Sequence, residues 1–365
     1  MKTTIYINGR FLTQSITGVQ RYAFELIHSL DNIIGKNGKL QANFEFIILT
    51  PKKIKHNLRL ENIRVKKIGV FKGHLWEQIN LPFLTSGRLL INLCNTAPIL
   101  KRYQLVTIHD ANVYANPRNF SLLFRLWYKF LFKIISKKSK KLITVSNFSK
   151  SELEHYLNIN NNKIKVIYEG KEQILNINSE QNILRKHNLQ CKRYLLAVSS
   201  LSPNKNFKSV IQAIQLLKDI KVDIVIAGGT NPKVFSDSRD IGKTANVKYI
   251  GYVSDNELKS LYENAAGFIY PSFYEGFGLP PLEAMACGCP VIVSNVASLP
   301  EVCGDAALYI DPYSPEDIAE KIKLLLSDDK LRKELRRKGL ERAKMFSWEK
   351  CAEETIKVIE EVLAK

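Results

Sequence analysis

The chain has 365 residues, 45% of them hydrophobic and 24% charged, which is typical of a globular protein with room for two domains and excludes a disordered chain. No apolar run approaches the roughly 20 residues that a membrane-spanning helix needs. The first ten residues lack the apolar core of a signal peptide, so we expect a cytoplasmic protein. Scattered cysteines without paired CxxC blocks are expected to be free thiols: Cys94, Cys191, Cys287, Cys289, Cys303 and Cys351.

The formal net charge of +19 lies almost entirely in the first half of the chain. Residues 1–172 hold 28 Lys and Arg against 10 Asp and Glu, whereas residues 173–365 hold 26 against 25. Such an excess favours an anionic partner for the first half: membrane headgroups, a phosphorylated substrate or nucleic acid. A general effect of the lysines on solubility is the alternative.

Short apolar runs predict strands in the first half at residues 3–7, 44–49, 63–68, 89–93, 105–108, 142–145 and 164–168. A helical pattern over Val19–Leu30 begins at Gly18, which is either a plain helix cap or an anion-binding turn. His109 and Asp110 directly follow the strand at 105–108, where α/β sheets bind ligands. For His109, a structural role as the cap of the next loop is the alternative.

The stretch 120–142 (FSLLFRLWYKFLFKIISKKSKKL) predicts an unusual helix that mixes aromatic and basic side chains. A helix that lies in a membrane interface has this composition, with aromatics toward lipid and lysines toward headgroups. A buried helix with a basic end would look similar. We expect a combination, in which one face packs on the sheet and the rim touches a membrane.

A polar stretch at residues 169–189 is predicted to be a linker, after which strands and helices alternate again. Strands are predicted at 194–199, 223–227, 247–251, 267–270, 291–293 and 308–310, and helices at 207–218, 255–264, 315–326, 330–344 and 348–364. Two consecutive β-α series predict an α/β protein with two doubly wound parallel sheets. The ligand site is expected in the cleft between them.

The most informative stretch is Tyr270–Pro290 (YPSFYEGFGLPPLEAMACGCP), which begins at the end of a predicted strand. Gly276 and Gly278 allow a tight turn and the close approach of a ligand, and the prolines after them suit the start of a helix. A glycine turn before a helix N-terminus suits a phosphate. Glu275 and Glu283 flank the turn. They either bind a ligand or are a solvated loop residue and a first-turn glutamate of the helix.

Lys205 follows a strand of the same half, so its loop is expected at the same edge of the sheet as the glycine turn. A lysine there can neutralise a diphosphate, and with the helix dipole it can stabilise charge on a leaving nucleotide. Two carboxylates would repel a bare triphosphate but can accept hydrogen bonds from sugar hydroxyls. The constellation therefore favours a nucleotide-sugar, and the absence of a DxD sequence counts against a bridging metal.

Glu275 to Glu283 resemble the E-x7-E signature of retaining glycosyltransferases of family 4, which have the GT-B fold. Similarity extends over nearly the whole chain, through GVQRY at 18–22, LWEQ at 75–78, IHD at 108–110, ITVS at 143–146, SPNKN at 202–206, IGYV at 250–253 and LPE at 299–301. The branch that it most resembles contains bacterial mannosyltransferases of O-antigen and exopolysaccharide assembly. The resemblance implies two Rossmann-like domains facing a cleft.

The resemblance also implies roles for single residues. Glu275 would hold donor-sugar hydroxyls, Glu283 would bind the ribose and Lys205 would contact the diphosphate. Further implied contacts are the backbone amides of Phe277, Gly278 and Leu279 at sugar and diphosphate, Tyr252 and Val253 against the base, Gly18 at the diphosphate and His109 beside the donor sugar. Glu275, His109 and Lys205 are thus the implied catalytic residues. Many relatives carry an arginine where this chain has Ser200 or Asn204, so either another cation substitutes, or the diphosphate is held less strongly and Lys205 carries more of its charge.

By this resemblance, residues 1–172 are the acceptor-binding domain, residues 173–345 the donor-binding domain, and residues 346–365 a helix that crosses back to the first domain. The implied enzyme is a metal-independent hexosyltransferase without a cofactor. It would act at the inner face of the cytoplasmic membrane, an anionic surface that suits the basic first half. Its acceptor would be a polyprenol-diphosphate-linked saccharide or an oligosaccharide of lipopolysaccharide and other cell-surface polysaccharide biosynthesis.

GDP-mannose is the favoured donor in this interpretation, with UDP-hexoses and dTDP-rhamnose as alternatives. A phosphorylase or a sugar-nucleotide epimerase of the same architecture is a nearer alternative activity. A basic nucleic-acid-binding protein is the alternative from another class, but it leaves Glu275, Glu283 and the glycine turn unexplained. We therefore expect no nucleic acid partner.

Overall fold

The structure, a computed structural model, describes residues 2–190, 193–198, 202–217, 222–228 and 246–364. Contacts divide the chain into two compact units. The first unit combines residues 1–170 with residues 347–365, and the second comprises residues 171–346. The chain therefore leaves the first unit once and returns to it for the last helix.

A parallel sheet of seven strands forms the centre of the first unit. Its strands are β1 (Thr3–Asn8), β2 (Phe44–Thr50), β3 (Arg64–Lys67), β4 (Leu89–Asn92), β5 (Gln104–Thr107), β6 (Lys141–Thr144) and β7 (Ile164–Val166). Their order in the sheet is β3-β2-β1-β4-β5-β6-β7, so the predicted strands of this half are confirmed. The order reverses between β1 and β4. The carboxyl ends of these two strands therefore form the topological switch point, where open α/β sheets bind ligands.

A second parallel sheet, of six strands, forms the centre of the second unit. Its strands are β8 (Tyr194–Val198), β9 (Asp223–Ala227), β10 (Val247–Gly251), β11 (Gly267–Tyr270), β12 (Val291–Ser294) and β13 (Ala307–Ile310). They are arranged in the order β10-β9-β8-β11-β12-β13. β11 and β12 are wholly buried, as expected for parallel strands covered on both faces. The prediction of two doubly wound sheets is confirmed.

Helices surround both sheets. Those of eight or more residues are α1 (Gly18–Lys36), α2 (Leu122–Lys138), α3 (Asn147–Leu157), α4 (Phe207–Leu216), α5 (Asp255–Asn264), α6 (Leu279–Ala286), α7 (Pro315–Ser327), α8 (Asp329–Lys344) and α9 (Trp348–Leu363). Within the first unit α9 packs against α1, and within the second unit α4 packs against α7 and α6 against α8. The last helix of the chain is thus part of the first unit.

Shorter helical turns connect these elements. They lie at Gly9–Thr13, Gly38–Asn43, Gly73–Leu75, Trp76–Asn80, Leu81–Leu84, Asn112–Ala115, Pro117–Asn119, Asn161–Lys163, Glu172–Leu175, Asn182–Lys186, Pro203–Lys205, Leu299–Cys303 and Gly304–Ala306. Trp76–Asn80 has π-helical hydrogen bonding and joins the turns on either side of it into one continuous helical segment.

The predicted polar linker at 169–189 is not a plain linker. It contains the helical turns Glu172–Leu175 and Asn182–Lys186, which pack against α5. Ile174, Ile183 and Leu184 are buried there. Their apolar side chains fasten the segment to the second unit, because burying them removes apolar area from water.

Helix α2 is shorter than the predicted 120–142, since β6 begins at Lys141. Its second half packs on the sheet through the buried side chains of Leu131, Phe132 and Ile135. Its first half leaves Leu123 82% exposed and Leu126 55% exposed. One face is packed, as predicted, while an apolar part of the helix remains in solvent.

The described cysteines are free thiols, as predicted, and Cys191 lies outside the described residues. Burial raises the pKa of the Cys94 thiol to about 12. In the described part of the chain, no helix combines the length and the apolar character needed to cross a bilayer.

Candidate functional site

Lys205 and Glu275 meet at the carboxyl ends of β8 and β11 in the second unit. Lys205 Nζ lies 2.6 Å from Glu275 Oε1 and 2.8 Å from the hydroxyl oxygen of Tyr270. The ammonium also lies over the Tyr270 ring, 5.0 Å from its centroid. The Ser272 hydroxyl donates a further hydrogen bond to Glu275 Oε1. The two predicted loops therefore come together, and they form a charge pair that the sequence did not reveal.

The charge of Lys205 is set by this environment. Burial alone would lower the pKa of Lys205, but the Glu275 carboxylate and the Tyr270 hydroxyl outweigh it and raise this pKa above its ordinary value. Burial, followed by the negative charge of Glu275, raises the pKa of Tyr270. The side chains of Lys205 and Glu275 remain 19% and 14% exposed. A positioned cation is thus accessible to a ligand at neutral pH.

Asn204 holds the two loops together. Its Nδ2 donates a 2.7 Å hydrogen bond to the carbonyl of Tyr274, and its own carbonyl accepts a 2.9 Å hydrogen bond from the N–H of Phe273. The residue is buried. Asn204 therefore acts as a structural clamp, at one of the two positions where the resemblance implies an arginine. The other position, Ser200, lies outside the described residues.

The backbone at Gly278 explains the need for glycine. Gly278 is the N-cap of α6 and has a φ of 109°, a conformation that favours glycine. A Cβ atom at this position would lie 2.8 Å from Leu299 Cδ2. The Ser298 hydroxyl is 2.9 Å from the carbonyl oxygen of Glu275 and 2.7 Å from that of Phe277. These contacts fix the turn that carries Glu275.

Prolines limit the hydrogen-bond donors at the start of α6. Pro280 and Pro281 are the second and third residues of the helix, and proline has no N–H. Amide donors near this helix start must therefore come from Leu279 and the preceding turn, which includes Phe277 and Gly278. These are the positions that the resemblance implies for sugar and diphosphate, and their contact with a donor stays a prediction.

Glu283 lies inside α6 rather than in its first turn, so the interpretation as a first-turn glutamate is wrong. Its carboxylate is buried and accepts hydrogen bonds from Gln173 Nε2 at 2.7 Å and from the Tyr262 hydroxyl at 3.4 Å. Burial and then the charge of Glu283 raise the pKa of Tyr262, so this hydroxyl keeps its proton.

Gln173 and Tyr262 are residues that sequence reasoning missed. Gln173 belongs to the presumed linker and lies 110 positions before Glu283. Tyr262 lies on the buried face of α5, a position that the helical periodicity does reveal. The partnership itself has no local sequence signal.

Tyr252 and Val253 directly follow β10 at the same edge of the second sheet. Tyr252 is 81% exposed and Val253 is buried. An exposed aromatic ring beside a buried valine is suitable for stacking a base, and this contact stays a prediction.

Gly18 and His109 belong to the first unit. Gly18 is the first residue of α1, and a Cβ atom there would meet nothing within 4 Å. The capping of α1 comes from Thr17 and Gln20. Gly18 therefore leaves open space at a helix N-terminus, and the anion-binding turn and the plain cap both remain compatible with it.

The side chain of His109 is held by protein groups. Its Nε2 lies 3.0 Å from the carbonyl oxygen of Leu93, so Nε2 carries a proton and donates. Its Nδ1 lies 3.6 Å from Glu169 Oε1, and the Tyr22 ring packs edge-on against the imidazole. His109 is buried and well oriented at the end of β5. Its contact with a donor sugar stays a prediction.

A buried charge pair, Arg10 with Glu77, occupies the switch point of the first sheet. Glu77 Oε1 accepts hydrogen bonds from Asn8 Nδ2 at 2.8 Å, Arg10 Nε at 3.1 Å and Thr96 Oγ1 at 2.8 Å. Burial alone would raise the pKa of Glu77, but Arg10 and the hydrogen bonds outweigh it and lower this pKa. A small cavity lined in part by Arg10, Gln14 and Thr96 lies beside the pair.

In the ranges that the structure describes, no cluster of three or more His, Cys, Asp or Glu side chains is arranged to hold a metal ion. Independence of metal and of a cofactor stays a prediction.

Known proteins resemble this chain in sequence. The family described as "Glycosyl transferases group 1" matches residues 179–342. The O-antigen chain mannosyltransferase B of Escherichia coli is 37% identical over 69% of this chain and 68% of its own length. The O-antigen chain mannosyltransferase RfbU of Salmonella typhimurium is 29% identical over 87% of this chain and 89% of its own length.

The fold resembles that of solved structures. Sucrose-phosphate synthase from Thermosynechococcus elongatus superposes with a TM-score of 0.76 and 18% identity, covering 100% of both chains. At this identity the likeness shows the fold alone. Together with the two parallel sheets it confirms the predicted GT-B fold class.

Proposed function

Because the chain belongs to the group 1 glycosyltransferases, we propose that it transfers mannose from GDP-mannose, with retention, to a lipid-linked or oligosaccharide acceptor in cell-surface polysaccharide biosynthesis. The observation that carries the proposal is the Lys205–Glu275 pair at the ends of two adjacent strands, with Nζ and Oε1 separated by 2.6 Å. It combines a cation for a diphosphate with a carboxylate for sugar hydroxyls at one position. The mannosyltransferase names of the two relatives favour mannose as the sugar.

The acceptor hydroxyl oxygen would attack C1 of the donor sugar while the bond from C1 to the diphosphate oxygen breaks. Attack on the face from which the nucleoside diphosphate departs gives retention, and the hydroxyl proton passes to the departing phosphate. Lys205 and the amides before α6 would stabilise the charge that develops on this leaving group. Glu275 would orient the sugar by accepting hydrogen bonds from its hydroxyls.

Glu283 would bind the ribose of the donor. Its burial and the hydrogen bonds from Gln173 and Tyr262 hold the carboxylate in one orientation. Tyr252 and Val253 would lie against the base, Gly18 would approach the diphosphate, and His109 would lie beside the donor sugar. These roles follow the resemblance and agree with the positions of the residues at strand and helix ends within each unit.

A ligand-induced shift of the melting temperature tests the donor. A ligand at about 100 times its Kd stabilises the native state by roughly 2.7 kcal/mol, which raises the melting temperature by several degrees. We expect this shift with GDP-mannose and not with UDP-glucose or dTDP-rhamnose at the same concentration. A larger shift of the melting temperature with UDP-glucose or dTDP-rhamnose would show that this nucleotide-sugar, and not GDP-mannose, is the donor.

Product formation tests the reaction itself. Release of GDP from GDP-mannose in the presence of extracted lipid-linked saccharide should continue after EDTA treatment, since the proposed leaving-group stabilisation uses Lys205 and not a metal. Loss of turnover that added Mg²⁺ restores would contradict the metal-independent mechanism. Analysis of the anomeric configuration of the product tests retention.

We propose that the acceptor is presented at an anionic membrane surface by attachment through α2. The first half of α2 exposes Leu122, Leu123 and Leu126, and Arg125 and Lys129 lie among them. An interfacial helix uses apolar side chains for the acyl region and basic side chains for headgroups. Co-sedimentation with vesicles that contain phosphatidylglycerol should capture the protein at low salt. If the protein stays in the supernatant, the attachment is refuted.

A further inference from the structure

In the helical segment at residues 73–84, some apolar side chains face solvent, whereas some polar side chains face the interior of the protein. The segment consists of Gly73–Leu75, Trp76–Asn80 and Leu81–Leu84 without a break, and we call it the 73–84 helix. Leu75, Ile79 and Phe83 are 61%, 38% and 80% exposed. Their spacing of four residues places them on one face of a helix. An apolar stripe therefore faces solvent along its length.

The opposite face of the 73–84 helix is firmly anchored. Trp76 is fully buried, and its indole N–H donates a 2.7 Å hydrogen bond to the carbonyl of Ile68. Glu77 is fully buried in the cluster with Arg10. Gln78 donates to the carbonyl of Ala97 at 3.0 Å and accepts from the N–H of Ile99 at 3.0 Å. Trp76, Glu77 and Gln78 thus each make hydrogen bonds on the inner face, so the exposed stripe is a fixed feature of the fold.

The stripe has apolar neighbours in sequence and in space. Just before the helix, Val70 and Phe71 are 76% and 41% exposed. The ring of His74 packs edge-on against Trp127 of α2, with centroids 6.0 Å apart. The 73–84 helix is therefore adjacent to the exposed half of α2. Exposed apolar patches of this extent mark interaction sites.

The part of the chain that carries the stripe and α2 is strongly basic. Residues 62–151 contain sixteen Lys and Arg and two acidic residues, Asp110 and the buried Glu77. A second copy of this face would meet the first with charge of the same sign. An anionic lipid surface complements both the apolar stripe and its basic rim.

We propose that the 73–84 helix is a second membrane-inserting element, which enters the interface of an anionic bilayer beside α2 through Leu75, Ile79 and Phe83. The inference rests on the proposed membrane attachment through α2 and extends it. Two apolar elements fixed in one unit define an orientation of that unit on the bilayer, which one helix alone leaves free to rotate. Because Glu77 on the inner face lies at the switch point of the first sheet, this orientation also fixes that site relative to the lipid.

The double substitution Leu75→Ser/Phe83→Ser tests the proposal in the full chain. The probe is a vesicle of phosphatidylethanolamine with about one quarter phosphatidylglycerol, and the measurement is the partition coefficient from co-sedimentation. Burying one Leu or Phe side chain changes a binding constant by roughly tenfold or more. We therefore expect partition to fall by roughly 100-fold, with an unchanged melting temperature because both side chains are exposed.

Two matched variants separate the possible causes. Leu123→Ser removes an exposed side chain of α2 and should also weaken partition. Leu216→Ser/Leu324→Ser removes two exposed leucines of the second unit and should leave partition unchanged. As a second measurement, brominated lipid should quench the fluorescence added by Phe83→Trp and not that added by Leu216→Trp, each taken as the difference from the wild type with its own Trp76, Trp127 and Trp348.

Three results would overturn the inference, and they differ in what else they refute. Wild-type partition for Leu75→Ser/Phe83→Ser, with a loss for Leu123→Ser, refutes the second element and retains α2. Absence of wild-type binding refutes the membrane attachment as a whole. A wild-type dimer that Leu75→Ser/Phe83→Ser converts to a monomer would make the stripe an interface between copies. None of these outcomes bears on nucleotide-sugar binding, which is measured separately.

Discussion

At the scale of single residues, the contact between Lys205 and Glu275 joins two loops that are 70 positions apart. In the absence of a ligand each neutralises the other, and Tyr270 and Ser272 hold the pair from either side. A diphosphate that binds Lys205 would compete with Glu275 for the ammonium. Glu275 would then be released to accept hydrogen bonds from the sugar. Under the proposed function, one ligand would thus satisfy both charges of the pair.

Lys205→Ala and Glu275→Ala should each abolish detectable transfer. Loss of one group that stabilises a leaving group typically lowers kcat by about 10²–10³, and here the second charge of the pair is also left without its partner. Tyr270→Phe is the matched control, since it removes only a hydroxyl that contacts Lys205, and we expect at most a roughly tenfold loss. Initial rates with GDP-mannose give the measurement, with circular dichroism melts to show that the fold persists. Turnover at the wild-type rate in either alanine variant would contradict the site assignment.

Glu77→Gln should destabilise the protein at neutral pH and not in acid. Breaking a buried ion pair by removing one partner costs about 3–5 kcal/mol, and Arg10 would be left unpaired. The pKa of Glu77 is lowered in the folded state. Its contribution is therefore present above the unfolded pKa of about 4.3 and is lost as pH falls through the folded value.

The measurement is the difference in melting temperature between wild type and Glu77→Gln from pH 7 downward, which should shrink as the pH falls. Glu353→Gln, at an exposed position in the interior of α9, serves as the control and should show no difference. If the difference in melting temperature between wild type and Glu77→Gln stays constant with pH, the charge of Glu77 is not what stabilises the fold.

At the scale of elements, the turn before α6 and the turn after it both use a glycine with positive φ. Gly278 has a φ of 109° and Gly288 a φ of 73°. Gly278→Ala should cost about 1–3 kcal/mol, because its Cβ would lie 2.8 Å from Leu299 Cδ2, and it should also weaken nucleotide-sugar binding by displacing Glu275. In Gly288→Ala, the three atoms nearest to the added Cβ all belong to the guanidinium group of Arg336, a side-chain end that can move. The expected cost of Gly288→Ala is about 1 kcal/mol.

Calorimetric titration with GDP-mannose distinguishes the two glycines. The affinity should fall for Gly278→Ala and stay near that of wild type for Gly288→Ala. Equal losses of affinity would mean that the effect comes from general destabilisation of α6 and not from the turn that carries Glu275.

The strands could be predicted from the sequence because buried parallel strands appear as short apolar runs, such as Phe44–Thr50 and Gly267–Tyr270. The 73–84 helix could not, since Leu75 and Phe83 face solvent whereas Glu77 is buried. Prediction from hydrophobic periodicity assigns apolar side chains to the core, and it fails for a helix whose apolar side chains face solvent. The turns inside the supposed linker were missed for another reason, because Glu172–Leu175 is too short for a helical period to be visible.

At the scale of the whole molecule, the candidate site was predictable where its residues follow strands directly, as Lys205 and Glu275 do. Its supporting contacts were not. Gln173 reaches Glu283 across 110 positions, and Ser298 supports the turn at Glu275 from 23 positions away. Such contacts depend on how the loops pack at the sheet edge, and no local pattern encodes them. Motifs therefore locate the candidate ligand-binding groups, while the structure identifies the groups that orient them.

The division of charge between the two halves leads to a last prediction, which concerns how membrane binding depends on the salt concentration. Nearly all of the +19 net charge lies in residues 1–172, so attraction to anionic vesicles should weaken as the Debye length falls from about 10 Å at 0.1 M to about 3 Å at 1 M. The apolar contacts of α2 and the 73–84 helix resist salt, so binding should decline without vanishing. Vesicle partition and GDP-mannose affinity, measured across the same salt series, should diverge, because the latter depends on a few enclosed charges around Lys205. Parallel decline of the two would show that the basic half does not provide the membrane attachment.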